Sequence, residues 1–351
     1  MELAPILTRY LPKWQQTSTL TPEQHHAVRA IQQCRTAHCG QMRLYCPGCA
    51  HHQGAFHSCG HRSCPRCQHH DTAQWLERQQ HKLLPVKYFM ATFTLPAQLR
   101  ALARQHPKDV YAALFACAVS TLQDFGRNNK QLQGELGMTA VLHTHTRRLD
   151  YHPHVHVVVP GGGINQARRQ WKALRGNAKY LFHQNSLANV FRARLLQALQ
   201  QQGLSLPAEL PRKWVVDCKA VGSGLPALTY LARYLYRGVI AESNILSDDG
   251  TYVTFRYKDS QTQKIQTRTL KGEEFVGLLL QHVLPKGFRR ARDFGFLHGN
   301  AKKLLWLVQQ VLGVRVQYGP ITPRTRPAFR CGRCQQPLRI VGFIPKPRQS
   351  G

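Results

Sequence analysis

His152-Pro153-His154-Val155-His156 opens an apolar run, Val157-Val158-Val159, that ends at Pro160-Gly161-Gly162-Gly163. A β-branched run bounded by glycines predicts a short buried strand. Side chains alternate between the two faces of a strand, so His154 and His156 share one face while Val155 and Val157 share the other. Two neutral imidazoles about 7 Å apart on a rigid strand favour the binding of one divalent cation. A pair of solvated histidines on an exposed sheet face would explain the same pattern.

The net charge of the chain indicates what kind of partner it binds. The 351 residues carry a net charge of +31, with a sequence pI near 10.3. An excess this large is typical of a protein that binds a polyanion, and we favour nucleic acid over an acidic membrane. No stretch of the sequence has the apolar length of a membrane span, and the N-terminal residues do not resemble a signal peptide. The sequence therefore predicts a cytoplasmic protein with no membrane partner.

The cysteines predict zinc. Eleven cysteines, several at two-residue spacing, indicate metal binding rather than disulfides in such a protein. Two CxxC knuckles, each presenting two thiolates, predict one tetrahedral zinc held by Cys46, Cys49, Cys64 and Cys67. Further ligands interleave with the knuckles and predict a second zinc held by Cys34, Cys39, Cys59 and His61. The alternative is that these extra cysteines are simply buried and that the histidine is an exposed basic residue.

One more CxxC, Cys331-Gly332-Arg333-Cys334, has no second pair nearby in the sequence. It is half a metal site. It borrows ligands from elsewhere, binds metal in a dimer, or binds nothing; the sequence leaves these alternatives and the oligomeric state open. Arginines lie between the cysteines of the N-terminal cluster, as at Arg43 and Arg66, where they could contact phosphates.

The remaining patterns predict an α+β fold. Strands are predicted at 86–95, 137–145, 152–159 and 214–221, with a hairpin at 252–258 and 264–270. Helices are predicted at 21–34, 109–126, 185–202, 225–237, 273–284 and 299–313. Residues 1–20 read as irregular. We expect an N-terminal helix and zinc module over 1–80, a catalytic domain over 81–318, and a poorly structured basic Pro/Arg-rich tail with its CxxC over 319–351.

The helix predicted after Gly224 carries two tyrosines. Tyr230 and Tyr234 are four residues apart and therefore share a helical face, as do Arg233 and Arg237. Both tyrosines could instead be packing residues. Together with the histidine pair and the basic surface, they fit transfer of a DNA phosphodiester to a tyrosine hydroxyl, assisted by a divalent cation. Arg233 and Arg237 would steady phosphates there, and Arg168 and Arg169, in a basic loop after the glycines, are further candidates for DNA contact. That loop could equally be an ordinary solvated one.

These motifs, in this order, resemble the transposases of the insertion sequence 91 family, two-tyrosine HUH enzymes that move by rolling-circle transfer of single-stranded DNA. The resemblance covers nearly the whole chain. The matching segments are Cys46-x-x-Cys49, Ser58-Cys59, Cys64-Pro65-x-Cys67-Gln68, Leu84-Pro85-Val86-x-Tyr88-Phe89, Phe93-Thr94-Leu95-Pro96, Leu142-His143-Thr144, His152-Pro153-His154-Val155-His156, Pro160-Gly161-Gly162-Gly163, Tyr230-Leu231-Ala232-Arg233-Tyr234 and Cys331-x-x-Cys334.

The resemblance implies an HUH-type antiparallel sheet flanked by helices, with an N-terminal zinc module. It implies His154 and His156 as ligands of Mg²⁺ or Mn²⁺, and Tyr230 and Tyr234 as nucleophiles. The implied partners are single-stranded DNA and hairpins at the ends of a mobile element, in the nucleoid of a bacterium. No dinucleotide or phosphate-loop glycine motif occurs, so we expect no small-molecule cofactor. The alternatives are a plasmid rolling-circle replication initiator or relaxase, and a non-catalytic zinc-dependent DNA-binding protein.

Overall fold

The computed structural model describes residues 1–67, 69–174, 176, 178–235, 238–259, 261–314 and 329–347. Its helices are α1 (Leu3–Gln15), α2 (Pro22–Gln32), α3 (His69–Gln80), α4 (Arg100–Gln105), α5 (Pro107–Asn128), α6 (Gln184–Gln201), α7 (Leu225–Leu235), α8 (Gly272–Leu280) and α9 (Lys302–Val311). Its strands are β1 (Gln41–Tyr45), β2 (His52–Phe56), β3 (Tyr88–Thr94), β4 (Met138–His145), β5 (Tyr151–Pro160), β6 (Gly162–Asn165), β7 (Gln170–Ala173), β8 (Val216–Ala220), β9 (Ile245–Asp248), β10 (Tyr252–Lys258), β11 (Ile265–Lys271), β12 (Ala291–Phe294) and β13 (Arg339–Ile344). The predicted α+β class, an antiparallel sheet with flanking helices, is confirmed.

The chain packs as two compact units. The sheet unit comprises residues 72–235 and 284–318, and the cysteine-rich unit comprises residues 1–71, 236–283 and 319–351. These units do not follow the boundaries expected at residues 80 and 318, because segments distant in sequence pack together. None of the described helices has the length and apolar character needed to cross a lipid bilayer.

The sheet unit is built on antiparallel strands in the order β12-β4-β5-β3-β8. The histidine-bearing strand β5 lies at the centre, with β3 on one side and β4 on the other. As its sequence predicts, alternate residues face opposite ways: Val155, Val157 and Val159 join the hydrophobic core formed with residues of α5 and α6. The side chains of His154 and His156 therefore lie on the other face of the sheet. Because hydrogen-bonded neighbours flank β5, its backbone is fixed from both sides.

The glycines after β5 allow a tight connection. A Cβ added at Gly162 would lie 2.4 Å from the indole ring of Trp171, which pairs across the β6–β7 hairpin. Only a residue without a side chain leaves room for that ring. Arg168 and Arg169 of the predicted basic loop lie in the turn that joins β6 to β7.

The helix α7 begins at a turn that requires glycine. Gly224 has φ +82, and a Cβ there would lie 2.6 Å from the ring of Tyr88 on β3. Glycine adopts positive φ without the steric cost that other residues incur, so the chain turns sharply and starts a helix against the sheet. The helix contacts β4, and it carries Tyr230 to the face on which the histidines lie.

The cysteine-rich unit departs most from the sequence predictions. Residues 1–20 were expected to be irregular, but Leu3–Gln15 form α1, which buries Leu3, Ile6, Leu7 and Tyr10. The tail was expected to be poorly structured, but Arg339–Ile344 form β13, which pairs antiparallel with β1. The sheet order is β13-β1-β2. Residues 315–328 of the tail lie outside the described part.

The other predicted elements lie close to their expected bounds. The capping box at α2 is present: Thr21 accepts from the backbone N–H of Gln24, whose side chain accepts from the backbone N–H of Thr21. The predicted hairpin is β10–β11. The apolar helices predicted at 273–284 and 299–313 are α8 and α9.

Candidate metal centres and catalytic residues

Three histidines from two adjacent strands form a cluster on the face of the sheet opposite the hydrophobic core. His143 on β4 is the direct pairing partner of His154 on β5, and His156 follows two residues along. One ring nitrogen from each of the three lies within 4.8 Å of the others. His143 and His156 are buried, and His154 is half-buried. The structure therefore adds His143 to the two histidines that the sequence singled out.

Hydrogen bonds orient two of the three rings. Nδ1 of His154 lies 2.6 Å from the backbone carbonyl of His152, to which it can only donate, so the lone pair of this imidazole is on Nε2. Nδ1 of His156 lies 2.9 Å from the hydroxyl of Thr92 on β3. Such a contact on one ring nitrogen orients the ring and so sets the direction of the other nitrogen.

Burial keeps the three imidazoles neutral. It lowers the pKa of His154 to about 4 and that of His156 to about 3. The pKa of His143 is held well below its usual range by burial and by the neighbouring His156 and His154. A neutral imidazole is the form that binds a metal. At neutral pH the cluster therefore offers lone pairs rather than positive charge.

This donor set fits a divalent cation. One ring nitrogen of each histidine lies within 4.8 Å of the others, close enough for a single ion to contact all three. A centre with three protein ligands keeps further coordination positions for substrate or water. Imidazole donors suit borderline transition ions better than they suit Mg²⁺, which prefers oxygen.

Tyr230 lies beside the histidine cluster. The centroid of its ring is 6.4 Å from that of His143 and 6.4 Å from that of His156, and its side chain is half-buried. The second predicted nucleophile, Tyr234, lies in α7, but its side chain is outside the described part of the structure. The structure thus places Tyr230 beside His156, one of the two predicted histidine ligands, and beside His143.

The predicted DNA-binding arginines lie at separate places. Arg233 is exposed on α7, and Arg237 lies outside the described residues. Arg168 and Arg169 are exposed at the tip of the β6–β7 hairpin, where the carboxamide of Asn165 accepts the backbone N–H of Arg168 at 3.0 Å. All three described side chains are open to solvent, as phosphate contacts require.

The cysteines form two clusters of four, but the sets differ from those that the spacing predicted. One cluster comprises Cys46, Cys49, Cys331 and Cys334. Sulfur atoms within it are 3.4 to 3.6 Å apart, too far for disulfides and close to the ~3.8 Å edge of a tetrahedron with Zn–S bonds of ~2.3 Å. Pairing of β13 with β1 brings the two knuckles together, so the isolated tail CxxC is half of a shared site.

The other cluster comprises Cys34, Cys59, Cys64 and Cys67. Its sulfur contacts are of the same length, at 3.5 Å from Cys34 to Cys67 and 3.6 Å from Cys59 to Cys67. The prediction that the knuckle at 64–67 shares a metal with the knuckle at 46–49 is wrong, because a complete ligand set already surrounds each knuckle.

Two predicted zinc ligands fall outside both clusters. The thiol of Cys39 donates to the backbone carbonyl of Gln33 at 3.2 Å. Nδ1 of His61 accepts the backbone N–H of Ser63 at 3.2 Å, and its ring contacts that of His26 edge-on. Burial and the nearby His26 lower the pKa of His61 to about 4. Both residues therefore border the cluster of Cys34, Cys59, Cys64 and Cys67 without joining it.

Sequence reasoning missed His143 and Thr92. His143 lies in a Leu-His-Thr segment that resembles the family, but a single histidine on a buried strand carries no metal-binding spacing. Its role follows only from the register of β4 against β5. Thr92 lies directly across from His156 in the β3–β5 pairing, which no local pattern indicates.

Comparisons with known proteins agree on one family. Residues 137–304 match the family described as "Putative transposase", and residues 6–95 match the family described as "Transposase zinc-binding domain". The chain is 35% identical over 343 residues to "Putative transposase y4qJ" of Sinorhizobium fredii (strain NBRC 101917 / NGR234), with 90% of this chain and 85% of the relative covered. It is 30% identical over 290 residues to the "Transposase for insertion sequence element IS801" of Pseudomonas savastanoi pv. phaseolicola, with 75% and 68% covered.

Among solved structures, a conjugative relaxase, TrwC, in complex with mutant OriT DNA is similar over 64% of this chain and 74% of that chain. The identity is 15% and the TM-score is 0.27.

Proposed function

This chain belongs to the insertion sequence 91 family of transposases, and we propose that it nicks and rejoins single-stranded DNA through 5′-phosphotyrosine intermediates during rolling-circle transposition. The observation that carries this mechanism is the position of Tyr230, whose ring centroid lies 6.4 Å from two rings of the histidine cluster. A tyrosine beside a cluster of neutral imidazoles is an arrangement that suits a metal-assisted attack on a phosphodiester.

His143, His154 and His156 would hold the divalent ion, Mn²⁺ or Mg²⁺. When bound, such an ion polarises a non-bridging phosphate oxygen and offsets the charge that develops on it. The carbonyl of His152, which accepts from His154, and the hydroxyl of Thr92, which bonds to His156, would hold two of the rings in the orientation that this binding requires. The role of the protein at this centre is to fix three neutral nitrogens in place before DNA arrives.

Tyr230 would be a nucleophile. Attack by its oxygen on phosphorus forms a Tyr–O–P bond to the 5′ side of the DNA and breaks the bond between phosphorus and the 3′ oxygen. The phenolic proton is lost, and the departing 3′ oxygen takes up a proton to become a free hydroxyl. The new bond is itself a phosphodiester, so a 3′ hydroxyl can reverse the reaction and rejoin strands without ATP.

Tyr234 would be the second nucleophile, one helical turn from Tyr230. Two tyrosines permit two linked cleavages, one on a donor strand and one on a target or returning strand. We assign Arg233 to the phosphates beside the tyrosines, with Arg168, Arg169 and Arg237 as further DNA contacts. The expected substrates are single-stranded DNA and hairpins at element ends, and the expected site of action is the bacterial nucleoid.

The cysteine clusters would each hold one zinc ion. Residues 6–95 match the zinc-binding domain of the family, which supports zinc at these clusters. Backbone N–H groups of Cys334 and Arg333 lower the pKa of Cys331, which favours the thiolate form that binds metal. Two such clusters in one unit make structural sites, with all four positions filled by protein.

The test is formation of a covalent adduct. Labelled single-stranded oligonucleotides from the flanks of the encoding gene are incubated with protein and Mn²⁺ or Mg²⁺, then separated on a denaturing gel. We expect a metal-dependent protein–DNA band that the Tyr230→Phe/Tyr234→Phe double variant lacks. Tyr180→Phe, at a tyrosine that is 50% exposed elsewhere in the sheet unit, is the matched control and should keep the band. Tight DNA binding with no adduct in the unmodified protein would instead favour a non-catalytic binder.

A further inference from the structure

The sheet β13-β1-β2 has one face that the core does not use. Near the middle of β1, Leu44 is buried and its neighbour Arg43 is exposed, because successive side chains point to opposite faces. Leu44 packs in a small cluster with Cys46, Cys331 and Leu338, on the side of the four-cysteine site. The opposite face, which we call the outer face, carries Arg43 and contributes no side chain to this cluster of described residues.

Aromatic rings occupy this outer face. Phe56 pairs with Gln41 on β1, and His52 pairs with Tyr45, so all four side chains share the side of the sheet on which Arg43 lies. Phe56 is 44% exposed. The rings of Tyr45 and His52 lie with centroids 5.0 Å apart. Exposing a phenylalanine on a small sheet costs free energy that a folded domain recovers when something covers the ring.

The outer face is also flat at its centre, where glycines flank Arg43 on both neighbouring strands. Arg43 pairs with Gly54 on one side and with Gly342 on the other. A Cβ at Gly54 would lie 1.7 Å from the carboxamide of Gln41, and one at Gly342 would lie 3.9 Å from Cδ of Arg43. The two glycines therefore let long polar side chains lie along the sheet, which leaves the rings accessible from above.

The charge of the segments that form this sheet indicates a negatively charged partner. Residues 24–70 and 294–351 contain no aspartate or glutamate, although the chain has 17 acidic residues elsewhere. These two acid-free segments supply all the strands of this sheet. Arg339 on β13 pairs with Tyr45, so it joins Arg43 on the outer face. Exposed rings among arginines, with no carboxylate in the same segments, match a polyanion that also carries flat aromatic groups.

We propose that the outer face is a binding site for single-stranded DNA, separate from the histidine centre. Bases stack on Phe56 and on the Tyr45–His52 pair, and Arg43 and Arg339 bind the intervening phosphates. Stacking on such rings tolerates any sequence, because every base has a π face. An unpaired strand can offer its bases to a flat surface, whereas the bases of a duplex are stacked on each other and closed to it.

The experiment measures binding of the full-length, zinc-loaded protein to two fluorescent oligonucleotides of equal length. One is oligothymidylate, and the other has the same backbone with abasic sites. Phe56→Ala should weaken binding of oligothymidylate by about 5-fold or more, the effect of losing one base stacked on an aromatic ring. It should leave binding of the abasic strand unchanged, because that strand has no base to stack.

The matched control is Phe343→Ala. Phe343 is 66% exposed in the same sheet, but it pairs with Met42 and so lies on the opposite face. We expect wild-type affinity for both strands. Arg43→Gln should weaken binding of both strands and reduce the salt dependence of binding by about one counterion, as loss of a phosphate contact does.

Equal effects of Phe56→Ala and Phe343→Ala would overturn the proposal, as would equal losses on the base-bearing and abasic strands. Zinc content and melting temperature at wild-type values show that each variant is folded. The adduct assay separates this site from the catalytic one: at saturating DNA, Phe56→Ala should form the covalent adduct as wild type does. If the unmodified protein binds oligothymidylate through this face but forms no adduct, the proposed catalysis fails while the proposed binding site stands.

Discussion

His143 and His154 are direct partners across β4 and β5, with ring centroids 5.2 Å apart. Direct partners on adjacent antiparallel strands have their side chains on the same face. The pairing therefore places a third imidazole beside those of His154 and His156, which are two residues apart on β5 and so share one face of the sheet. A centre built on two paired strands is rigid, because its geometry is that of the sheet itself.

Removal of His143 should abolish tight binding of the divalent ion. We expect His143→Ala to lower Mn²⁺ affinity by more than the roughly 10- to 100-fold caused by loss of a second-shell group. Isothermal titration of metal into the protein measures this directly. His152→Ala is the control, because this histidine belongs to the same sequence motif. Its side chain contacts Arg100, and the carbonyl that accepts the hydrogen bond from His154 is part of its backbone, which the substitution keeps. If both variants bind Mn²⁺ alike, His143 is not a ligand.

Thr92 should act by orienting His156. Thr92→Val removes the hydroxyl that lies 2.9 Å from Nδ1 of His156 and keeps the shape of the side chain. We expect a fall of about 10-fold in Mn²⁺ affinity, in the range for second-shell groups. Thr94→Val, two residues along the same strand and opposite His154, should have little effect. Equal affinities for the two valine variants would contradict an orienting role.

The two cysteine clusters should hold two zinc ions per chain, with the tail contributing to one of them. We expect Cys331→Ser/Cys334→Ser and Cys46→Ser/Cys49→Ser each to reduce the zinc content from two to one. Combining the four substitutions should still leave one zinc, because both pairs belong to the same site. Elemental analysis of the purified variants gives the count. A quadruple variant without zinc would mean that the knuckle at 64–67 depends on the knuckle at 46–49 after all.

Cys39 should be the fast-reacting thiol of the zinc-loaded protein. Eight cysteines lie in the two clusters, and Cys117 and Cys218 are buried in the sheet unit. Burial raises the pKa of Cys117 to about 11, which keeps it a thiol at pH 8. Brief alkylation with iodoacetamide, read by mass spectrometry, should give one adduct that Cys39→Ser lacks. Rapid labelling of cluster cysteines with zinc bound would argue against their role as ligands.

The sequence predicted what depends on local order. The period-two pattern around His154 located β5, and the tyrosine helix, the β10–β11 hairpin and most other elements lie near their expected bounds. The sequence did not reveal what depends on long-range pairing. β13 joins β1 across nearly 300 residues, so the partners of Cys331 and Cys334 could not be read from spacing. His143 became a candidate ligand only through strand register, and α1 lacked a cap signal at its start.

The central claim is that Tyr230 or Tyr234 forms a covalent bond to DNA beside the histidine cluster. The most direct measurement is to digest the adduct with protease and nuclease and to locate the modified residue by mass spectrometry. We expect a nucleotide joined through its 5′ phosphate to Tyr230 or Tyr234, with a free 3′ hydroxyl on the released strand and no adduct in His143→Ala. Attachment at another residue, or cleavage that leaves free 5′ phosphates without any adduct, would contradict the account.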